Sequence, residues 1–260
     1  MKTEHLQFNF SVRRYPSREE MGKHAARDVR EVLKALLREK DCVNMIFAAA
    51  PSQLDFLQAF VADPDVDFSR IRAFHMDDYI GLPEGAPQGF GTFLRRHLFD
   101  QAAFREVYYI DGNAPDAQAE CDRYADLLRR YPADIVCMGI GENGHIAFND
   151  PHVADFTDPL DVKIVELDEV CRQQQVNDGC FTRLTDVPKQ AITLTIPALT
   201  RAEHHFCVVP ASTKAEAVRR TVLGEITTAC PAAILRTCPH AVLYVDVDSG
   251  RYLQRAIVEA

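Results

Sequence analysis

Three polar segments of the sequence each follow an apolar run, and they contain the side chains best suited to chemistry. They are AAAPSQ at residues 48–53, FHMDDYIGL at residues 74–82 and GIGENGHIAFNDP at residues 139–151. In open α/β sheets, ligands bind beyond the carboxyl ends of the strands, where the loops carry polar groups. We therefore expect these three segments to meet at one site.

General acid–base catalysis is the chemistry that fits the residue types in these segments best. Asp77 can supply a carboxylate base, and His145 can supply an imidazole that moves a proton near neutral pH. Asp150 follows five residues after His145 and can fix its tautomer and orientation. The sequence therefore predicts proton transfer by Asp77 and His145.

A dinucleotide site is one alternative, because Gly139, Gly141 and Gly144 form a G-x-G-x-x-G pattern after a predicted strand. That motif must open a helix whose N-terminus holds the pyrophosphate. Here His145 follows, and Pro151 at the end of an Asn-Asp-Pro sequence would break any helix within two turns. We therefore expect no nucleotide and no other cofactor.

A metal site is the next alternative. Asp77, Asp78, His145, Asp150 and His152 could gather around an ion, but neither H-x-x-x-H nor H-E-x-x-H spacing occurs. Adjacent side chains on an extended segment point apart, so Asp77 and Asp78 would rarely both act as ligands. We expect no metal. Nucleophilic catalysis is also disfavoured, because there is no G-x-S-x-G elbow and no cysteine in a loop beside a histidine.

The rest of the chain alternates short apolar runs with amphipathic stretches. This pattern predicts a three-layer, Rossmann-like α/β fold, a mostly parallel sheet with helices on both faces. A capping box, Ser17 to Glu20, predicts the start of the first helix. The predicted strands are residues 42–48, 71–76, 107–110, 134–140, 163–167, 191–196, 205–209 and 241–246. A further helix is predicted to begin at Pro51, and three more are predicted over residues 92–99, 115–131 and 213–223. No repeat or long linker interrupts residues 1–260, so we expect a single domain.

Composition excludes several functional classes. The 260 residues include 29 basic and 38 acidic side chains, which gives a net charge of −9 and disfavours a nucleic-acid partner. No apolar run approaches the roughly 20 residues of a membrane span, and the first residues do not resemble a signal peptide. The eight cysteines contain no C-x-x-C pair, so we expect reduced thiols and a cytoplasmic protein.

Two of the segments resemble the signature sequences of the glucosamine-6-phosphate deaminase/isomerase family, namely FHMDDYIGL and GIGENGHIAFNDP. The resemblance extends to FGTFLRRHLFD, VPKQAITLTIPAL and PASTKAEAV. This family shares its fold with 6-phosphogluconolactonases and with sugar-phosphate-sensing regulators, and GHIAFND distinguishes it from the lactonases. The resemblance implies an enzyme that converts glucosamine 6-phosphate to fructose 6-phosphate and ammonia. A lactonase and a sensing domain remain alternatives, the latter expected to carry a fused helix-turn-helix.

The resemblance also implies catalytic roles. Asp77 matches the family's base, which moves a proton between C2 and C1 of the open sugar to give an enolamine. His145 matches the residue that protonates the ring oxygen, and Asp150 takes the position of the carboxylate that orients it, usually a Glu. Asn143 stands where many members carry Asp. We expect these four residues to be catalytic.

Recognition of the phosphate departs from the family pattern. The family's phosphate loop contains glycines, whereas this chain has Ala48, Ala49 and Ala50, and the family's phosphate-binding arginine has no clear match. We expect Arg172, or else Arg183, to replace it. The other expected substrate-binding residues are Ser52, Gln53, Asp78, Gly141, Gly144 and Lys214. The partner expected is a small sugar phosphate, and the sequence allows a homo-oligomer.

Overall fold

In the computed structural model, which describes residues 10–254, β-strands and α-helices alternate along the chain. The strands are β1 (Phe10–Tyr15), β2 (Val43–Phe47), β3 (Ile71–His75), β4 (Asp77–Tyr79), β5 (Glu106–Tyr108), β6 (Ile135–Met138), β7 (Val162–Glu166), β8 (Gln190–Leu194), β9 (His204–Val209) and β10 (Ala241–Asp246). The helices are α1 (Arg18–Glu39), α2 (Leu54–Val61), α3 (Phe90–His97), α4 (Ala117–Arg130), α5 (Glu169–Asn177), α6 (Ile196–Thr200) and α7 (Ala215–Leu223).

Seven of the strands form a parallel central sheet in the order β1-β10-β9-β6-β2-β3-β5. Side chains of its inner strands alternate between two apolar clusters. On β2, Ile46 packs into one cluster, while Met45 and Phe47 pack into the other. Since successive side chains of a strand point to opposite faces, both faces of the sheet are covered. The predicted three-layer α/β fold is confirmed.

The strand order places a topological switch point between β2 and β6. From β2 the sheet continues through β3 to β5, and from β6 it continues in the opposite direction to β9. At such a point the loops after neighbouring strands separate and leave a crevice. The loops after β2 and β6 are the alanine-rich segment at residues 48–53 and the glycine-rich segment at residues 139–151.

Local signals in the sequence locate several element boundaries. Ser17 caps α1, its hydroxyl accepting from the Glu20 N–H at 3.2 Å, as the capping box predicts. A 3-10 turn, Pro51–Gln53, leads into α2, and another, Ser212–Lys214, leads into α7.

Several elements differ from the sequence prediction. Strands β4, β8 and β7 form a separate antiparallel sheet, in that order, beside the central one. Strands β1 and β4 and helices α5 and α6 were not predicted. Helix α5 lacks a clear apolar stripe, and the Asp168 side chain caps it by accepting from the Cys171 N–H at 2.6 Å. The small sheet fixes the position of Asp77, and α5 contributes two side chains to the site.

Two chemical features of the described chain bear on its environment. All eight cysteines are free thiols, and six of them are buried in the core. No helix within residues 10–254 is long and apolar enough to cross a membrane.

Candidate active site

A cleft lies at the carboxyl edge of the central sheet, beside the switch point. It holds about 500 Å³ of empty space, part of it open to solvent. All three polar segments predicted from the sequence contribute to its walls, because the loops after β2, β3 and β6 leave the same edge of the sheet. The polar side chains of the lining are Ser52, Gln53, Asp77, His145, Gln174, Gln175 and Lys214.

Asp77 is the buried carboxyl group of the cleft. It begins β4 opposite Thr193 of β8, and only 5% of its surface is exposed. Burial, and then the adjacent charge of Asp78, raise the pKa of Asp77 well above its ordinary value. A carboxyl group whose pKa is moved toward neutrality is suited to general acid–base work, since it can both accept and return a proton.

Asp78 faces away from Asp77, and the structure does not bring it into the lining of the cleft. Its carboxylate accepts hydrogen bonds from the backbone N–H groups of Tyr79 at 2.8 Å, Phe90 at 3.0 Å and Gly91 at 3.0 Å. The last two belong to the first turn of α3, where a carboxylate satisfies free N–H groups and complements the helix dipole. The position of Asp78 is explained by this structural role.

His145 and Asp150 form a close pair below the cleft. Nδ1 of His145 lies 2.9 Å from Oδ1 of the fully buried Asp150, although the ring is turned off the line of an ideal hydrogen bond. Asn143 braces the pair: its amide nitrogen donates to Asp150 at 2.9 Å, and its oxygen accepts from the His145 N–H at 3.0 Å. Asn143 therefore positions the pair without lining the cleft.

The Asp150 side chain is stabilised as a carboxylate. Burial alone would raise the pKa of Asp150, but its interactions with His145, the Asn143 amide and the Asp168 N–H together lower it. Held beside Nδ1, this carboxylate fixes the orientation of the His145 ring.

Two glycines of the third segment shape the loop around His145. A Cβ atom on Gly141 would lie 2.1 Å from Cε1 of His145, so the ring occupies the space that a side chain would need. Gly144 has a φ of +91°, and a Cβ atom there would meet the Cys230 sulfur at 2.7 Å. Gly141 lines the cleft, whereas the structure does not place Gly144 in the lining.

Ser52, Gln53 and Lys214 lie in the cleft lining. The buried Gln53 amide donates to the Val208 carbonyl at 3.0 Å and to the Ser52 hydroxyl at 3.2 Å, which joins the ends of β2 and β9. Because that hydroxyl oxygen accepts a hydrogen bond, the Ser52 O–H remains able to donate to a ligand.

Lys214 supplies the positive charge of the cleft. It is 4% exposed, and burial lowers its pKa, while the carboxylates of Asp178 and Glu142 act in the opposite direction. Among residues 10–254 its ammonium group makes no hydrogen bond or ion pair. The turn that carries it is held by Ala211, whose φ is +82° and whose N–H donates to Asp246 at 3.0 Å. A buried, unpaired ammonium group at the wall of a cleft can receive an anion.

The two arginines considered from the sequence are not brought to the cleft. The Arg172 guanidinium donates to the backbone carbonyls of Leu184 at 2.7 Å and Val187 at 3.0 Å. Arg183 is exposed and pairs with Asp186 at 2.8 Å. Both side chains therefore stabilise the segment between α5 and β8, and neither lines the site.

Sequence reasoning missed Gln174 and Gln175, which reach the cleft from α5. Both are 7% exposed, and the Gln174 oxygen accepts from the Glu142 N–H at 2.9 Å. The only sequence signal is a run of three glutamines, which has no amphipathic period and is ordinarily read as a solvated surface.

One group of buried side chains near the cleft has ligand atoms close enough together to hold a metal ion. Ligand atoms of His145, Asp150 and Cys171 lie within 4.8 Å of one another. Burial raises the pKa of the Cys171 thiol well above its ordinary value, whereas a metal ligand must be a thiolate. A second group contains His152, which is exposed and whose Nε2 lies 3.0 Å from the Glu166 carbonyl. The chemistry of these donors does not favour a metal.

Comparison with known proteins adds an independent observation. Residues 16–244 match the family described as glucosamine-6-phosphate isomerases/6-phosphogluconolactonase. The chain is 33% identical over 241 residues to glucosamine-6-phosphate deaminases of Bacillus cereus (strain B4264) and Bacillus thuringiensis (strain Al Hakam), covering 93% of this chain and 88% of each relative.

Solved structures resemble the fold closely. A monomeric glucosamine-6-phosphate deaminase superposes with a TM-score of 0.84 at 26% identity, over 93% of this chain and 99% of that one. A 6-phosphogluconolactonase of Thermotoga maritima superposes with a TM-score of 0.75 at 18% identity, over 91% of this chain and 99% of that one. The second likeness concerns the fold alone.

Proposed function

Since the chain belongs to the glucosamine-6-phosphate isomerase/6-phosphogluconolactonase family, we propose that its cleft deaminates and isomerises glucosamine 6-phosphate. The overall reaction consumes the amino sugar phosphate and water and releases fructose 6-phosphate and ammonia. The observation that carries the proposal is that a buried carboxyl group of raised pKa, Asp77, lines the same cleft as the paired imidazole of His145.

The first step is opening of the sugar ring. His145 gives a proton to the ring oxygen as the bond between that oxygen and C1 breaks, and the C1 hydroxyl passes its proton to water to give the aldehyde. Asp150 lies 2.9 Å from Nδ1 of His145 and holds the ring in position. The bracing amide of Asn143 keeps that carboxylate in place.

The second step is proton transfer between carbons. Asp77 takes the proton from C2, the electrons of that bond form a C1–C2 double bond, and the aldehyde oxygen accepts a proton. The same carboxylic acid then returns a proton to C1, which leaves an imine at C2. Water adds to the imine, and ammonia leaves. The buried position of Asp77 supports this role, because exclusion of water strengthens its basicity.

Lys214 and Ser52, which also line the cleft, are proposed to hold the phosphate. The phosphate does not react, so their contribution is to binding rather than to the chemical step. The substrate partner is thus a small sugar phosphate. The eight free thiols support a reducing compartment such as the cytoplasm, and a single domain over residues 1–260 remains our proposal.

A lactonase of the same fold is the second candidate. It would use His145 to activate water and would have no need of Asp77 as a carbon base. The buried, pKa-raised Asp77 favours the deaminase, as do the 33% identical relatives.

The experiment is to incubate the purified protein with glucosamine 6-phosphate, with its C2 and C4 epimers, and with 6-phosphogluconolactone. We expect ammonia and fructose 6-phosphate to form in equal amounts from a hexosamine 6-phosphate. Hydrolysis of the lactone without ammonia release from any amino sugar would replace the deaminase proposal with the lactonase.

A further inference from the structure

Gln175 is a buried polar side chain without a partner. It is 7% exposed, it lines the cleft, and its amide makes no side-chain hydrogen bond within the described residues. Its neighbour Gln174 is committed elsewhere, since it accepts from the Glu142 N–H and its amide nitrogen lies 3.4 Å from Asp178. Its amide atoms are not sealed from solvent, so they are available to donate to a ligand in the cleft.

The lining of the cleft also carries little positive charge for the binding of a doubly charged phosphate. Of the described residues that line it, Lys214 alone is a lysine or arginine. The groups that interact electrostatically with Lys214 are the carboxylates of Asp178 and Glu142 and the thiol of Cys171. The Arg172 guanidinium donates hydrogen bonds to carbonyl groups outside the cleft. The Lys214 ammonium group is therefore the single buried positive charge that the described lining offers to an anion.

We propose that Gln175 and Lys214 form an anion site with a single positive charge, and that the site discriminates little between a singly charged and a doubly charged oxyanion ester of the sugar. This inference rests on the proposed function, since it concerns the substrate end of the same cleft. The ammonium group neutralises one negative charge, and the Gln175 amide and Ser52 hydroxyl donate as neutral dipoles. A second negative charge on the ester would meet no further lysine or arginine in the described lining, so it gains no counter-charge.

The test compares glucosamine 6-sulfate with glucosamine 6-phosphate. The sulfate ester carries one charge, whereas the phosphate ester, with a second pKa of about 6, carries nearly two at about pH 8. The wild type should use the two esters with kcat/KM values within about tenfold of each other, the scale of a single modest interaction. A preference for the phosphate ester above about 100-fold would overturn the proposal, because it would require a second cation.

Variants at position 175 test the residue itself. Gln175→Arg adds the missing charge and should raise the preference for the phosphate ester by at least about tenfold, mainly through KM, as expected for one charge-assisted hydrogen bond. Gln175→Met has a similar length but no donor, and it should raise KM for both esters without changing their ratio. Unchanged KM values for both esters in Gln175→Met would overturn the role of Gln175.

Failure of the proposed function can be distinguished from failure of this inference. If neither ester releases ammonia, the deaminase proposal fails, and the anion site is then tested by binding of inorganic sulfate and inorganic phosphate, measured by calorimetry. Similar dissociation constants that both weaken in Lys214→Met would support the site. Binding of phosphate more than about 100-fold tighter than sulfate, or no binding of either ion, would overturn it.

Discussion

The imidazole of His145 rests directly against the backbone of Gly141. The Gly141 N–H donates to the His145 carbonyl at 2.9 Å, and a Cβ atom at position 141 would lie 2.1 Å from Cε1 of the ring. No real Cβ contact is that short. The pairing of His145 with Asp150 therefore depends on the absence of a side chain at position 141, three residues after the end of β6.

Gly141→Ala should displace the imidazole from Asp150 and lower kcat by at least about tenfold, approaching the 10²-fold scale of a lost general acid. Gly89→Ala is the matched control, because a Cβ atom there meets its nearest atom, the Ala86 carbonyl oxygen, at 3.4 Å. Steady-state kinetics and melting temperatures of both variants provide the comparison. Equal kcat values in the two variants would contradict the packing argument.

His145→Gln should lower kcat for glucosamine 6-phosphate by about 10²-fold, because ring opening loses its acid. The acyclic analogue 2-amino-2-deoxyglucitol 6-phosphate has no ring to open, so its inhibition constant should stay within about threefold of the wild-type value. Kinetics and inhibition measured on the same preparation test this. A loss of affinity as large as the loss of kcat would mean that His145 mainly shapes the cleft.

Asp77→Asn should be more stable than the wild type near neutral pH. Burial raises the pKa of folded Asp77, so the folded state holds the proton more tightly than the unfolded state does. The stability that this proton provides is complete below the ordinary aspartate pKa of about 3.9 and is lost as pH rises through the raised folded pKa. Each unit of that shift corresponds to about 1.4 kcal/mol.

Urea unfolding of Asp77→Asn and wild type at about pH 4 and about pH 7.5 measures this difference. The variant's advantage should grow with pH. Asp78→Asn is the control, and it should lower the stability, because it replaces a carboxylate that accepts three backbone hydrogen bonds. An Asp77→Asn protein that loses stability at the higher pH would show that the carboxylate is not destabilised by burial.

Turnover should survive prolonged treatment with EDTA, because side chains perform the proposed proton transfers to the ring oxygen and between C2 and C1. The ligand atoms of His145, Asp150 and Cys171 lie close together, but burial keeps the Cys171 thiol protonated by raising its pKa. Ammonia release before and after chelation, with and without added Zn²⁺ or Mg²⁺, measures the effect. Loss of activity on chelation with recovery on adding an ion would make the acid–base assignment wrong.

The sequence predicted the parts of the site that depend on strand ends. The carboxyl ends of parallel strands share one edge of a sheet, so the motifs around Asp77 and His145 had to approach each other once the strands were recognised. The prediction did not separate β4, β7 and β8 from the central sheet, because the strands of both sheets are short apolar runs.

The sequence could not locate side chains whose positions depend on distant contacts. Arg172 is directed away from the cleft by the carbonyls of Leu184 and Val187, groups that every residue possesses and no motif identifies. Gln174 and Gln175 reach the cleft on a helix with little apolar periodicity, so neither the helix nor its orientation could be predicted.

The most direct test of the central claim is ammonia release from glucosamine 6-phosphate by Asp77→Asn and wild type, measured at the same pH with fructose 6-phosphate quantified in parallel. The substitution keeps the size of the side chain and removes only its capacity to accept a proton. We predict that the wild type forms both products in equal amounts and that kcat of the variant falls by at least about 10²-fold. Near-wild-type turnover by a folded Asp77→Asn protein would contradict the mechanism.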